Sequence, residues 1–179
     1  MKKHRKNTTL VIIIFILFYI SGCAFHHVPV PEAVDLKNMQ EIDAPLRMQI
    51  INVQDNSDET NFGNYGWGKM VGDLKSWTNS AVDCAKQALG KKGVVFLDNS
   101  SKILKFAVTD VRVQTVGVPL VASLARCIIS LKVETGDGYT KTYEGANKSI
   151  NPPFASNIAM ATVVSHVFED NKIKEYLSN

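Results

Sequence analysis

The chain has 179 residues, of which 45% are hydrophobic and 21% charged, with 20 basic and 17 acidic side chains and a formal charge of +3. Four of the basic groups, Lys2, Lys3, Arg5 and Lys6, lie in the first six residues, and the 157 residues after position 22 carry 16 basic against 17 acidic side chains. A near-neutral body of that length suits one domain with its own core, and it excludes the strongly basic surface on which a nucleic-acid partner would be argued.

Behind the charged leader, Leu10 to Ile20 is an apolar run of eleven residues, bounded by Asn7-Thr8-Thr9 and by Ser21-Gly22. It is too short to span a bilayer, which takes roughly 20 apolar residues. Ile20-Ser21-Gly22-Cys23 closes it, and small residues before a cysteine after such a leader look like a bacterial lipobox. The resemblance implies acylation of the Cys23 thiol, removal of residues 1–22 as a lipoprotein signal peptide, and a product anchored in a membrane by its acyl chains. Ala24, where retention in the inner membrane would call for Asp, implies a periplasm-facing lipoprotein of the outer membrane. From 23 to 46 the chain carries Pro29, Pro31 and Pro45 without sustained periodicity and is predicted to be a flexible tether. Residues 47–179 then form a single α+β domain.

Arg47 to Val53 alternates as a first strand, and Asp55 to Glu59 ends it in a solvated turn. Asn61 to Gly66 reads as a glycine-rich loop carrying aromatic rings. Trp67, Val71, Leu74, Thr78, Ala81, Ala85 and Ala88 follow at steps of three and four, which predicts an amphipathic helix stopped at Gly90 or Gly93. Trp77 falls on its apolar stripe. Val94 to Leu97 begins a strand, and Lys102 to Val116 is a longer one whose apolar phase changes near Thr109-Asp110, the mark of a bulge. Val121 to Glu134 alternates, with Cys127, Ile129, Leu131 and Val133 on one face. Gly136-Asp137-Gly138 is a hairpin turn, with Tyr139 to Gly145 as the returning strand. Asn151-Pro152-Pro153 opens a last long helix through Phe168, and Asp170 or Asn171 caps a final turn that docks Ile173 and Leu177.

This order predicts a two-layer α+β sandwich: a mostly antiparallel sheet of four to five strands with two helices packed on one face. Together with the lipobox, the hairpin ending in Tyr143, the run Phe154-Ala155-Ser156-Asn157-Ile158-Ala159 and the Asp170 to Leu177 segment are similar to small outer-membrane lipoproteins of the YajG type. More loosely, the pattern resembles domains of the lipopolysaccharide-assembly lipoprotein and of lipoprotein activators of peptidoglycan synthases. The resemblance implies a fold and a location, and its residues are structural.

No nucleophile elbow, zinc-protease helix or phosphate-binding loop is present, so no catalytic residue, cofactor ligand or metal ligand is predicted. His26-His27 read as two solvated side chains, because a competent metal site takes three or four placed ligands. His166, among apolar neighbours on the last helix, reads as a helix-surface or a satisfied residue. Cys84 and Cys127 leave two readings open, a disulfide or two buried thiols. Two features remain as candidate interaction sites. One is the aromatic loop of Phe62, Tyr65 and Trp67, which either meets a partner or folds back over the core. The other is the apolar connection from Val116 to Val121, with Val118 and Leu120 at its centre. The expected partners are the membrane, through Cys23, and an envelope protein. A non-enzymatic binding or assembly module is the leading expectation, and a carrier of a small lipid or glycan held between helices and sheet is the alternative.

Overall fold

The computed structural model describes residues 24–32, 34, 36, 46–66, 68–118 and 122–178. Eight strands and three helices follow in the order β1 (Ala24–His26), β2 (Arg47–Asn52), β3 (Thr60–Tyr65), β4 (Gly68–Gly72), α1 (Leu74–Gly90), β5 (Val95–Phe96), β6 (Ile103–Val118), β7 (Ala122–Thr135), β8 (Thr140–Ser149), α2 (Pro152–Glu169) and α3 (Asn171–Ser178). Among the described residues no helix is long and apolar enough to cross a membrane.

The sixteen residues of β6 organise the sheet. Along one edge β6 pairs antiparallel with β7, from Leu104 opposite Thr135 to Val118 opposite Ala122, and β7 continues into β8. The other edge is shared by two strands. β2 runs parallel to the first part, Gln49 opposite Ile103 through Asn52 opposite Phe106, and β3 meets the second part at Gly63 opposite Val113. β5 extends β2, and β4 and then β1 extend β3.

The two-layer expectation of four to five mostly antiparallel strands is therefore corrected to an eight-stranded mixed sheet with three helices. Two physical causes account for the difference. The segment from β2 to β6 contains a crossover helix, α1, and a crossover returns a strand parallel to its predecessor. β1 holds three residues, too few to display a period, and β3 and β4 lie where a loop and the first turns of a helix were expected.

The register of β6 against β7 shifts between Val108 and Asp110, leaving Thr109 unpaired at the expected bulge. Leu104, Phe106 and Val108 before it, and Val111 and Val113 after it, are all buried, so the bulge keeps both phases turned inward. Against this face pack Ala155, Ala159, Met160, Val163, Val164 and Val167 of α2, each 0% exposed. Gly145 of β8 makes that approach close. A Cβ there would lie 2.5 Å from both the Ala159 carbonyl oxygen and the Val163 amide nitrogen, so only glycine admits the helix backbone at this distance. The outer face is wet and carries the cross-strand pair Lys105–Glu134 at 2.6 Å, together with Arg112 between Asp110 and Glu144.

The helix expected from Trp67 begins at Leu74, with the Asp73 side chain accepting from the Ser76 amide at 2.6 Å as its N-cap. The residues assigned to its first turns, Met70 and Val71, belong instead to β4. Both are buried, 0% and 5% exposed, so the strand shows no alternation and its apolar spacing imitates the start of a helix. The aromatic loop is likewise a strand, β3, hairpinned to β4. Trp77 meets the core expectation at 0% exposure. Asn151 caps α2, and the Asp170 carboxylate accepts from the Lys172 and Ile173 amides at the start of α3.

Candidate functional site

The segment that leaves Cys23 was expected to hang free, and over its described part it is built into the body. Ala24 to His26 pairs parallel with Lys69 to Val71 as β1. Beyond it the chain runs along the crevice between α1 and α2 and is held from both sides. From α1, the Trp77 indole N–H donates to the His27 carbonyl at 2.9 Å, the Ser80 hydroxyl to the Pro29 carbonyl at 2.5 Å, and the Cys84 thiol to the Glu32 carbonyl at 3.5 Å. From α2, the Asn157 side-chain oxygen accepts from the Val30 amide at 3.0 Å, and Ser156 lies 2.7 Å from the His27 ring nitrogen Nε2. Positions 77, 80 and 84 are one stripe of α1, so an extended strand of carbonyls can meet three donors in turn. Val34 and Leu36 lie in the core beyond the crevice.

Local sequence explains why this works. Pro29 and Pro31 keep the chain extended and remove two amides that the crevice would otherwise have to satisfy. Gly72 leaves room for the approach, since a Cβ there would sit 2.9 Å from the His27 carbonyl oxygen and 3.0 Å from the Trp77 indole nitrogen. Of the two histidines read as solvated, His26 is exposed, its side chain 71% accessible and 3.0 Å from Glu59, whereas His27 is engaged, its ring standing edge-on to Trp77. Burial holds the His27 pKa below its ordinary value of 6.5, against an opposing pull from the Asn157 side chain. The Ser156 hydroxyl donates to the Pro153 carbonyl at 2.7 Å, which leaves its oxygen to accept from Nε2–H of the neutral imidazole.

This segment starts at one end of the sheet. Ala24 is level with Lys69, one residue beyond the end of the β3–β4 pairing. The Tyr65 hydroxyl at that end lies 3.0 Å from the Ser123 carbonyl, at the start of β7, and 3.0 Å from the Ile150 carbonyl, on the turn from β8 into α2. Ile150 and Phe154 are 77% and 50% exposed.

The candidate interaction residues therefore separate. Phe62 is 4% exposed and packs its ring 4.9 Å from Trp77, so it closes the core and is withdrawn as a contact residue. Tyr65 is half-buried and ties the end of the β3–β4 hairpin to the start of β7 and to the β8–α2 turn. Val118 ends β6 opposite Ala122. Trp67, Leu120 and Cys23, the position expected to be acylated, lie outside the described residues. Cys84 and Cys127 are free buried thiols, which sets aside the disulfide reading. Burial, with Glu32 and Asp83 adding to it at Cys84, pushes both up to about 12. His166 is exposed, with Nδ1 2.8 Å from the Glu144 carbonyl. Sequence reasoning missed Ile150, Ser80 and Ser156. A serine on an otherwise apolar helical stripe was the signal available for the last two.

A groove of about 560 Å³ opens on the other flank of α1, against β2 and the end of β5. Its lining includes Asn52, Asn79, Asp83, Lys86 and Asp98. The Asn52 amide donates to Asn79 at 2.7 Å and to the Lys75 carbonyl at 3.0 Å, which holds one wall in place.

No protein-family model matches the chain, and none of the curated proteins compared with it matches. Among solved structures, it is similar to a Xanthomonas campestris protein described under the family model DUF330, at 16% identity and a TM-score of 0.45, covering 86% of this chain and 94% of that one. It is also similar to a minor lipoprotein from Acinetobacter baumannii, at 14% identity and a TM-score of 0.38, covering 75% of this chain and 93% of that one. Neither is described as being of the YajG type.

Proposed function

We propose that this chain is a lipid-anchored lipoprotein of the bacterial outer membrane whose domain is a non-enzymatic binding and assembly module, held in a set orientation at the membrane surface. The observation that carries the reading is the docking of the residues directly after Cys23. A strand and a hydrogen-bonded extended segment make anchor and domain one body, where a carrier that must travel would keep a free tether. The wet face of β6, β7 and β8, with Arg112, Lys132 and Thr142 exposed on it, is then presented in a constant direction to an envelope protein. The test uses cells expressing the full chain with a photo-crosslinking residue at Arg112 or Lys132, fed an alkyne analogue of palmitate. Acyl label on the wild type, its loss in Cys23→Ala, and one discrete protein adduct support the reading. Label retained in Cys23→Ala, or no adduct from the wet face, contradicts it.

The groove on α1 favours a second reading, a small hydrated ligand such as a glycan. The original form of that idea, a ligand between α2 and the sheet, loses its space, because the α2 residues facing the sheet are fully buried. Saccharide-induced protection of the protein against thermal unfolding, abolished by Asp83→Ala, would support the groove; no shift with either protein removes it.

A further inference from the structure

We propose that the end of the domain built from the β3–β4 hairpin end, the start of β7 and the β8–α2 turn rests directly on the bilayer, seating Ile150 and Phe154 at the lipid interface. This rests on the lipoprotein reading. The chain outside the described residues says what covers this end: the apolar run and Cys23 lead into Ala24, and consecutive Cα atoms are only about 3.8 Å apart. Ala24 is paired beside the hairpin tip, so acyl chains on Cys23 would enter the membrane next to this surface.

Charge gives the second argument. Residues 24–27, 63–66, 68–70, 114–118, 122–126 and 146–157 contain Lys69, Arg126 and Lys148 and no Asp or Glu, although the chain has 17 acidic residues, and Glu59 reaches this set through its 3.0 Å contact with His26. Arg126 and Lys148 are direct cross-strand partners. Like charges placed opposite one another on a sheet repel, and anionic headgroups would relieve that repulsion. The far end differs: the β7–β8 turn carries Asp137, and the 14 residues of β7 place it roughly 45 Å away. An apolar side chain exposed as far as Ile150, rimmed by cations and lying beside the anchor, matches the chemistry of an anionic lipid surface.

The experiment reconstitutes the acylated full-length lipoprotein into vesicles of phosphatidylethanolamine and phosphatidylglycerol, with a maleimide fluorophore on Ile150→Cys, Phe154→Cys or Asp137→Cys. Cys84 and Cys127 are buried, so the introduced thiol takes the label. With nitroxide at the lipid headgroup, the labels at 150 and 154 should lose most of their emission and the label at 137 should keep it. Adding Lys69→Glu and Lys148→Glu should restore emission at 150. Equal quenching at both ends, or none at 150 in protein that floats with the vesicles, overturns the inference while leaving the lipoprotein reading intact. A label that is aqueous in lipid vesicles yet shielded in native envelopes also overturns it, in favour of a protein contact. Protein that carries no acyl mass on Cys23 and does not float defeats the anchor reading itself, and this inference with it.

Discussion

The two sides of α2 are covered by different materials. Its inner side meets β7 and β8 through apolar side chains at full burial, with a glycine admitting the helix backbone. On its other side, in the crevice shared with α1, an extended segment is held through its own carbonyls by Trp77, Ser80 and Cys84. The first contact draws its stability from excluded water and packing. The second draws on directed hydrogen bonds between groups that would bond water if released, so each is worth little net yet costs more when left unmade. The core should therefore set the stability of the domain, and the crevice should decide only whether the N-terminal segment stays docked.

Trp77 belongs to both regions, and its loss should have the largest effect. Trp77→Ala removes a fully buried ring and orphans the His27 carbonyl, for an expected cost of about 3–5 kcal/mol, read from denaturant unfolding. A cost below about 1 kcal/mol would show that the helix does not lie on the sheet as described. Gly145→Ala should follow. Pushing α2 away from β8 is an overpacking strain of roughly 1–3 kcal/mol, lowering the midpoint while leaving the α1 donors of the crevice in place.

The core was the legible part of this molecule. Period-two and helical spacing marked β2, β6, β7 and α2, the phase change marked the bulge, and Asn151 with two prolines marked a helix start. β4 escaped because burial on both of its faces erases alternation, and the docked segment escaped for a deeper reason. Its contacts are made by backbone carbonyls, which every residue has, and their donors are ordinary helix residues 50, 51 and 52 positions away in the chain. Prolines without periodicity read equally well as a tether or as an extended strand with few amides to satisfy. The same gap hid the candidate site, whose convergence depends on strand register and not on any motif.

Ser80→Ala addresses the crevice alone. It leaves the buried Pro29 carbonyl without its donor, and should cost about 1–3 kcal/mol in docking of the segment with a smaller change in global unfolding. Acid should act still more gently and at the same place. His27 has a folded pKa below 6.5, so on acidification the released segment binds a proton before the docked one does. Stability is thus fully present above pH about 6.5 and is lost as pH falls through the lower folded value. Proteolytic cleavage within residues 24–32 should accelerate over that range while the core stays resistant, and His27→Gln should flatten the dependence. Unchanged cleavage rates across the range would remove His27 from the clamp.

The docked segment itself is tested most directly by hydrogen exchange on the full-length protein in detergent, followed at the amides of His27 and Val30. These donate to the Val71 carbonyl at 3.1 Å and to Asn157 at 3.0 Å. Slow exchange at both, lost in Ser80→Ala while the β6–β7 amides stay protected, is the predicted result. Exchange at the rate of an unstructured chain in the unaltered protein would contradict it, and would return residues 24–32 to the status of a free tether.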